Sequence, residues 1–317
     1  MLRPERQPPN YLYPSDGWIR RRMHEFGRTR FDFYAEAIKR LGISHSDIVL
    51  DSGAGNGNDG LNIASTYNPR LTLLLEPLNE EETPEEFDNR YIHLAEQIND
   101  NNLENVVLLP SPKSNNHSPL PNSSIPEESV SYLLPIAGRA ESLPLPDQSV
   151  DIQLMIHSAY HFDNLNTAFT EAARVMKPGG RGLAITNGPD DKSEFKRILK
   201  ATEAELQSEF PGTVSSWLDY NVLARWLSNY FDDVTIISYR DAMVVTEAEF
   251  PIVRWAYDSY RHLFYPLIIN DGRWVRARKK FLEEPVLSAI QQKGEWLDTI
   301  DIAAVYFAKP KSNLSER

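Results

Sequence analysis

Short apolar runs alternate along this chain with segments in which apolar residues recur at helical spacing. The runs predict buried strands, and the periodic segments predict helices. The predicted strands are 48–51, 71–75, 132–136, 152–156, 182–186, 234–238 and 302–308. The predicted helical segments are 16–41, with one or two helices, 60–67, 85–100, 166–175, 192–210, 217–230 and 247–290, with several helices. This alternation is typical of an α/β fold, so we expect a doubly wound, Rossmann-like sheet of seven mostly parallel strands with helices on both faces.

Two stretches lack this alternation. The first 14 residues are polar and rich in proline, and they predict an extended segment. Residues 111–131 are rich in Ser, Asn and Pro. Such a segment buries too little apolar surface to offset its ordering entropy, so we expect a flexible surface insertion there.

Composition and charge narrow the class of protein. Hydrophobic residues make up 41% of the chain and charged residues 25%, as in ordinary globular proteins. No apolar run approaches the ~18 residues of a membrane span, so we expect no membrane partner. The absence of cysteine and of an apolar leader favours a cytoplasmic protein. The net charge of −12 argues against nucleic acid as a partner. The oligomeric state stays unknown.

A glycine-rich turn is the first candidate for chemistry. The segment Asp51-Ser-Gly-Ala-Gly-Asn-Gly57 follows a predicted strand and precedes a predicted helix. Glycines let the backbone turn sharply and approach a ligand closely. Glu76 closes the next predicted strand, where an acid can accept hydrogen bonds from both hydroxyls of a ribose. The pattern predicts a nucleoside-binding crevice.

The same glycines leave two cofactor classes open. Gly55-Asn-Gly-Asn-Asp-Gly60 satisfies the dinucleotide pattern G-x-G-x-x-G, which favours a nicotinamide-dependent oxidoreductase. That pattern normally begins directly after the strand, whereas here it begins four residues after Asp51. The carboxylate of Asp51 also suits a cationic group better than a phosphate. The earlier frame, with glycines at 53, 55 and 57, is therefore favoured.

Two further motifs follow in order. Gly138-Arg-Ala-Glu-Ser-Leu-Pro-Leu-Pro-Asp-Gln-Ser-Val-Asp151 precedes the fourth predicted strand, and Glu171-Ala-Ala-Arg-Val-Met-Lys-Pro-Gly-Gly180 precedes the fifth. His161 lies between them. With the glycine turn, this order resembles the class I S-adenosylmethionine-dependent methyltransferases of the ubiquinone/menaquinone-biosynthesis type, which carry a methyltransferase type 11 domain. The resemblance covers roughly residues 47–186.

The resemblance implies a set of cofactor-binding residues. It implies that the methionine end of S-adenosylmethionine lies at the glycine turn, the ribose at Glu76 and the adenine beside Ala140. Family members commonly carry an acid just before that alanine, whereas this chain has Arg139, which could cover the ring face instead. The predicted cofactor-binding residues are Asp51, Ser52, Gly53, Ala54, Gly55, Glu76, Pro77, Arg139, Ala140, Glu141, Ile156 and His157.

Methyl transfer depends mainly on alignment of the nucleophile, the carbon and the sulfur. A general base is required only when the acceptor arrives protonated. His157, Tyr160 and His161, after the fourth predicted strand, are the candidate catalytic residues. No cluster of His, Asp and Glu has metal-ligand spacing, so we expect no metal.

The C-terminal third is rich in aromatic residues, and Trp255, Ser259 and His262 are candidates to wall an apolar acceptor pocket. Tyr11, Tyr13 and Trp18 are candidates for a lid. The resemblance implies that the last predicted strand runs antiparallel beside 234–238. The expected division is an N-terminal helical lid (1–41), an S-adenosylmethionine-binding domain (42–240), a helical substrate cap (241–300) and a final strand and tail (301–317).

These expectations predict transfer of a methyl group from S-adenosylmethionine to a small organic molecule of secondary metabolism, with an oxygen, nitrogen or carbon acceptor. Two alternatives stay open. One is the nicotinamide-dependent oxidoreductase. The other is a methyltransferase-like binding subunit without catalysis, which the unusual Arg139 and the lack of an obvious base favour.

Overall fold

A computed structural model of the protein describes residues 22–78, 82–111, 130–208, 217–261 and 272–311. Tyr11, Tyr13, Trp18 and His262 lie outside the described residues, as does nearly all of the predicted insertion at 111–131. In the described part of the chain no helix has the length and apolar character that crossing a membrane requires.

Within the described residues the sheet contains eight strands, in the order β3-β4-β2-β1-β5-β6-β8-β7. The strands are β1 Ile48–Ser52, β2 Leu71–Glu76, β3 Val106–Leu108, β4 Ser131–Ala137, β5 Val150–Ile156, β6 Met176–Asn187, β7 Phe231–Val245 and β8 Trp296–Pro310. All seven predicted strands are present, and the α/β class is confirmed. The expected number of seven was wrong because β3, with three residues at the sheet edge, is too short to produce a periodic signal.

The first six strands form the parallel part of the sheet. β1 pairs in parallel with β2 and β5, β4 pairs in parallel with β2 and β3, and β6 pairs in parallel with β5. The central strands are buried along most of their length, as expected for a parallel sheet covered on both faces. Their continuous apolar runs in the sequence follow from that burial.

β8 is antiparallel to both of its neighbours. Along β6, Gly182 lies against Phe307 while Gly188 donates to the carbonyl of Asp301, so residue numbers rise in one strand as they fall in the other. Beside β7, Lys309 pairs with Asp233 and Arg240 pairs with Asp301. The predicted antiparallel final strand is therefore present.

The helices follow the predicted segments with shifted bounds. The α-helices are α1 Phe33–Lys39, α2 Asn58–Tyr67, α3 Pro84–Asn89, α4 Ile92–Asp100, α5 Leu165–Val175, α6 Ser193–Leu206, α7 Tyr220–Leu227, α8 Phe250–Asp258, α9 Arg273–Ala277 and α10 Glu284–Lys293. A 3₁₀-helix covers Met23–Phe26 and a π-helical segment covers Arg278–Glu283. The single helix predicted over 85–100 is two helices, and α3 begins at a capping box in which Thr83 and Glu86 exchange hydrogen bonds.

The chain forms two compact units. Unit 1 comprises the described residues of 1–33, 187–216 and 238–302, and unit 2 comprises those of 34–186, 217–237 and 303–317. Unit 2 contains the glycine turn and both later motifs. Its core includes apolar residues of α5, α7 and β8 packed together, among them Phe169, Leu223 and Phe307.

Unit 1 contains a network of buried charges. Asp191 is 1% exposed and receives hydrogen bonds from Lys192 at 2.6 Å and from the backbone of Asp301 at 3.2 Å. His24 lies 3.2 Å from Asp191 and 2.5 Å from Lys192. Asp298, also buried, accepts from the backbone N–H groups of Glu194 and Phe195 at the start of α6. This arrangement, which we term the charged cluster of unit 1, was not predicted.

Candidate cofactor site

Four parallel strands of unit 2 end at one edge of the sheet. β1 ends at Ser52, β2 at Glu76, β4 at Ala137 and β5 at Ile156. The pairing keeps these ends level: Ser52 lies beside Leu75, and Glu76 lies beside Ala137. In open α/β sheets, ligands bind in the crevice outside the carboxyl ends of the strands. The edge therefore brings the glycine turn, Glu76 and the second motif together.

The first glycine of the turn is required by geometry. Gly53 has φ +81°, and a Cβ at that position would lie 2.4 Å from Cβ of Ser158. Its N–H donates to the carbonyl of Leu75 at 2.9 Å, which folds the turn back onto β2. Ser158 Oγ in turn donates to the carbonyl of Ser52 at 2.6 Å. A side chain at position 53 would displace the residue that joins the ends of β1 and β5.

The second glycine faces open space. Gly55 has φ +59°, and a Cβ there would meet no atom within 4 Å. Its N–H donates to Oε1 of Glu76 at 2.5 Å. The acid that closes β2 thus lies against the bend that follows β1, as a nucleoside crevice requires. Among the described residues, none therefore blocks a ligand on the Cβ side of Gly55.

Burial sets the ionisation of this acid. It raises the pKa of Glu76, against the lowering effect of the Gly55 N–H and of the positive charge of Arg90. Arg90 itself forms a close bidentate ion pair with Glu82. The ionised form of Glu76 would therefore be stabilised by further hydrogen-bond donors, and the two hydroxyls of a ribose supply such donors.

A wall of side chains lies behind the third glycine. A Cβ at Gly57 would lie 2.7 Å from Leu94 and 3.2 Å from the ring of Tyr91. Tyr91 is 1% exposed, and burial raises the pKa of its hydroxyl. Since this side of Gly57 is filled, the open approach to the turn is at Gly55.

The second motif follows β4 beside Glu76. Ala140 is buried against the core of unit 2, and Glu141 accepts from the backbone N–H groups of Asp163 and Asn164 at 2.6 and 3.2 Å. Arg139 pairs closely with Asp163. The carboxylate of Glu141 is thus engaged with the loop before α5, which adds a structural role to its predicted contact with the adenine.

The predicted catalytic residues form an aromatic group after β5. His157 has φ +53°, in the left-handed region that residues other than glycine seldom adopt. Its Nε2 lies 2.7 Å from the hydroxyl of Tyr34 on α1. The ring of Tyr160 lies 6.4 Å from that of His157 and 4.6 Å from that of His161. All three candidates therefore lie together.

Sequence reasoning missed Tyr34 and Ser158. Helical periodicity did place α1, but it selects the buried face, and Tyr34 is only half-buried. In the sequence, Ser158 is a polar residue after a predicted strand, and nothing else distinguishes it. Its close approach to Gly53 depends on the parallel pairing of β1 and β5, which no local pattern encodes.

Other predicted residues take positions of different kinds. Asp51 and Ser52 are each 2% exposed, at the base of the turn. Pro77 is exposed just after Glu76, and Ile156 is buried at the end of β5. Trp255 and Ser259 belong to unit 1, so their predicted place in an acceptor pocket stays a prediction. Among the described residues, no group of three or more His, Asp or Glu side chains is arranged to hold a metal ion.

The donor set fits a sulfonium nucleoside. An open backbone approach at Gly55, a buried carboxylate at Asp51 and a second carboxylate at Glu76 match a ligand with a cationic tail and a ribose diol. A pyrophosphate would be bound better by cationic groups, and none of these three groups is cationic.

Residues 116–184 match the family model described as a methyltransferase domain. The chain resembles the class I methyltransferases. The matched segment includes the second motif and the turn Lys177–Gly180, so the resemblance is confirmed over these residues. That turn was expected to precede the strand, but it lies within the first residues of β6.

Curated relatives agree with this resemblance over short segments. An uncharacterized methyltransferase of Bacillus subtilis, YcgJ, is 46% identical over 102 residues, covering 28% of this chain and 39% of the relative. The ubiquinone/menaquinone biosynthesis C-methyltransferase UbiE of Methylobacterium nodulans is 38% identical over 66 residues, covering 21% and 26%. The matches thus span less than half of the length of these relatives.

A solved structure agrees with the fold. A protein of Anabaena variabilis, described as a methyltransferase of an antibiotic biosynthesis pathway, superposes with a TM-score of 0.50 at 17% identity. The superposition covers 86% of this chain and 95% of that one. At this identity the likeness supports the Rossmann-like architecture.

Proposed function

We propose that this protein transfers a methyl group from S-adenosylmethionine to a small organic molecule, at an acceptor atom still to be identified. The observation that carries the proposal is the hydrogen bond between the Gly55 N–H and Glu76, at the edge where four parallel strands end. The methyltransferase segment at 116–184 supports the same donor.

The residues at this edge suggest how the cofactor would be held. Asp51, at the base of the turn, would face its ammonium group, and Glu76 would accept from the ribose hydroxyls. Ala140 and Arg139 would lie at the adenine end. When bound, the sulfonium supplies an activated methyl carbon, and the role of the chain is to align an acceptor with it and to exclude water.

The experiment that tests this donor is a calorimetric titration of the purified protein with S-adenosylhomocysteine, S-adenosylmethionine, NAD and NADP. We expect the two sulfur nucleosides to bind and the nicotinamides to give no heat beyond dilution. Binding of a nicotinamide alone would reverse the assignment. Incubation with methyl-labelled S-adenosylmethionine and a panel of alcohols, phenols, carboxylic acids and amines would then identify the acceptor.

Glu76→Gln and Glu104→Gln provide the matched pair for the titration. Glu104 is an exposed glutamate of unit 2 that lies just before the amino end of β3, whereas the candidate site lies at the carboxyl ends of the strands. If Glu76 holds the ribose, the first substitution weakens S-adenosylhomocysteine binding and the second leaves it unchanged. Equal affinities for both variants would remove Glu76 from the site.

A further inference from the structure

A hydrogen bond between α1 and the end of β5 extends the site beyond the residues that the sequence predicted. Tyr34 Oη and His157 Nε2 are 2.7 Å apart, with ring centroids 5.8 Å apart. Both side chains are half-buried, and His157 holds a left-handed backbone conformation at the strand end. Strained residues of this kind cluster at active sites.

The position of Tyr34 is fixed by the contacts of its helix. Tyr306 on β8 donates its hydroxyl hydrogen to the carbonyl of Ala37 at 2.9 Å. Arg181 on β6 donates to the carbonyl of Gly42, just beyond α1, at 2.9 Å. These bonds anchor α1 to the sheet and hold the Tyr34 hydroxyl beside the imidazole.

The acidity of the two groups decides the direction of the bond. A phenol, with an ordinary pKa of about 10, is a far stronger acid than the N–H of a neutral imidazole. With a neutral ring that carries its hydrogen on Nδ1, Tyr34 is the donor and Nε2 the acceptor, and this is the arrangement that we infer. A phenolic oxygen can accept a hydrogen bond while its own hydrogen is donated.

We propose that Tyr34 and His157 form a proton-accepting pair for an acceptor that arrives protonated, namely a hydroxyl compound. The proposal rests on the proposed methyl transfer. The acceptor's proton passes to Oη of Tyr34 while Tyr34's own proton passes to Nε2 of His157, leaving a neutral tyrosine and an imidazolium. The acceptor oxygen uses the electron pair of its O–H bond for the new bond to carbon, and the pair of the broken carbon–sulfur bond stays on sulfur.

The chemistry of the acceptor explains why such a pair is useful. An alcohol or phenol is a weak nucleophile until its proton leaves, and a positioned base typically contributes 10²–10⁴-fold to the rate. A carboxylate is already ionised at neutral pH and requires no base. The pair therefore favours a hydroxyl acceptor over a carboxylate.

The decisive measurement is NMR of histidine labelled with ¹⁵N, with His157 assigned by loss of its signals in His157→Gln. We expect the Nδ1–H tautomer in the wild type and a shift toward the Nε2–H tautomer in Tyr34→Phe. The control is Tyr306→Phe, which removes a hydroxyl that bonds α1 but does not contact His157. A wild-type ring already in the Nε2–H form, or one unchanged in Tyr34→Phe, would overturn the pairing.

Two further readouts separate this inference from the proposed function. We expect Tyr34→Phe to bind S-adenosylhomocysteine as the wild type does, because its hydroxyl is assigned to the acceptor. If the wild type binds no S-adenosylhomocysteine, the proposed function fails whatever the tautomer. With a hydroxyl acceptor from the panel, Tyr34→Phe should lower kcat by about 10²-fold or more with little change in KM. An unchanged kcat would exclude the proton transfer even if the NMR result holds.

Discussion

The glycine turn of unit 2 and the charged cluster of unit 1 handle polar groups in opposite ways. At the turn, a backbone N–H and one carboxylate meet beside open space, and burial raises the pKa of Glu76. In the charged cluster, Asp191 is enclosed by partners. Burial alone would raise its pKa, but Lys192 and His24 hold that pKa well below the ordinary value.

The difference distinguishes the candidate binding site at the turn from a structural network. When a carboxyl group with a raised pKa ionises, it lowers the stability of the folded protein. Its ionised form is stabilised when a ligand brings hydrogen-bond donors to it. A carboxylate with lowered pKa already has its donors and contributes stability to the fold. Charge alone therefore does not mark a ligand site, since the charged cluster is the more densely charged of the two regions.

Substitution in the charged cluster should give the largest loss of stability. Asp191→Ala leaves Lys192 buried without its carboxylate, at a cost of about 3–5 kcal/mol in the free energy of unfolding, measured in urea. Asp190→Ala is the matched control, because Asp190 is 61% exposed and pairs with exposed Arg240, a contact worth about 1 kcal/mol or less. Equal losses in the two variants would contradict a structural role for the network.

The pH dependence of Asp191 has a defined sign. Because its folded pKa lies below the unfolded value, its contribution is present above the unfolded pKa and is lost as pH falls through the folded one. The stability gap between wild type and Asp191→Asn should therefore narrow on acidification.

The two glycines of the turn should separate stability from binding. Gly53→Ala combines a left-handed backbone with a clash against Ser158, at a cost of about 2–4 kcal/mol in the free energy of unfolding. Gly55→Ala meets no atom, so only its backbone conformation costs, about 1–2 kcal/mol. We expect Gly55→Ala to be only slightly destabilised in thermal melts. We nevertheless expect it to bind S-adenosylhomocysteine clearly more weakly than the wild type. Undiminished binding would place the ligand away from Gly55.

Glu76→Gln should weaken ligand binding and stabilise the free protein. Loss of charge-assisted bonds to the ribose is worth about 1.5–3 kcal/mol, or roughly 10–100-fold in the Kd for S-adenosylhomocysteine. Because the folded pKa of Glu76 is raised, its ionisation lowers stability as pH rises above the unfolded value of 4.5. In thermal melts without ligand, the Tm of the variant should thus be higher than that of the wild type at pH 7 and equal to it below pH 4.5.

The smallest effect is the pH dependence of binding itself. S-adenosylhomocysteine should bind more weakly as pH falls through the raised pKa of Glu76, by at most about tenfold per pH unit. Calorimetry across that range should show the slope in the wild type and its absence in Glu76→Gln. A slope that persists in the variant would point to another titrating group.

Much of the site follows local patterns, and those parts were predictable. The glycine turn directly follows an apolar run, and Glu76 directly follows the next, so parallel pairing was enough to bring them together. Tyr34 was missed because its partner, His157, is 123 residues away in the chain and no periodicity links the two. The charged cluster was missed for the same reason: Asp191 and His24 are 167 residues apart.

The sequence by itself determined the α/β class, the seven longer strands, the position of the glycine turn and the resemblance to the methyltransferases. These features depend on apolar period and on residues adjacent in the chain, so local chemistry encodes them. Only the tertiary structure decided which acid meets which backbone N–H, which tyrosine meets His157, and which buried charges are satisfied internally. Those facts depend on long-range packing, where a shift of one residue in strand register would exchange every partner.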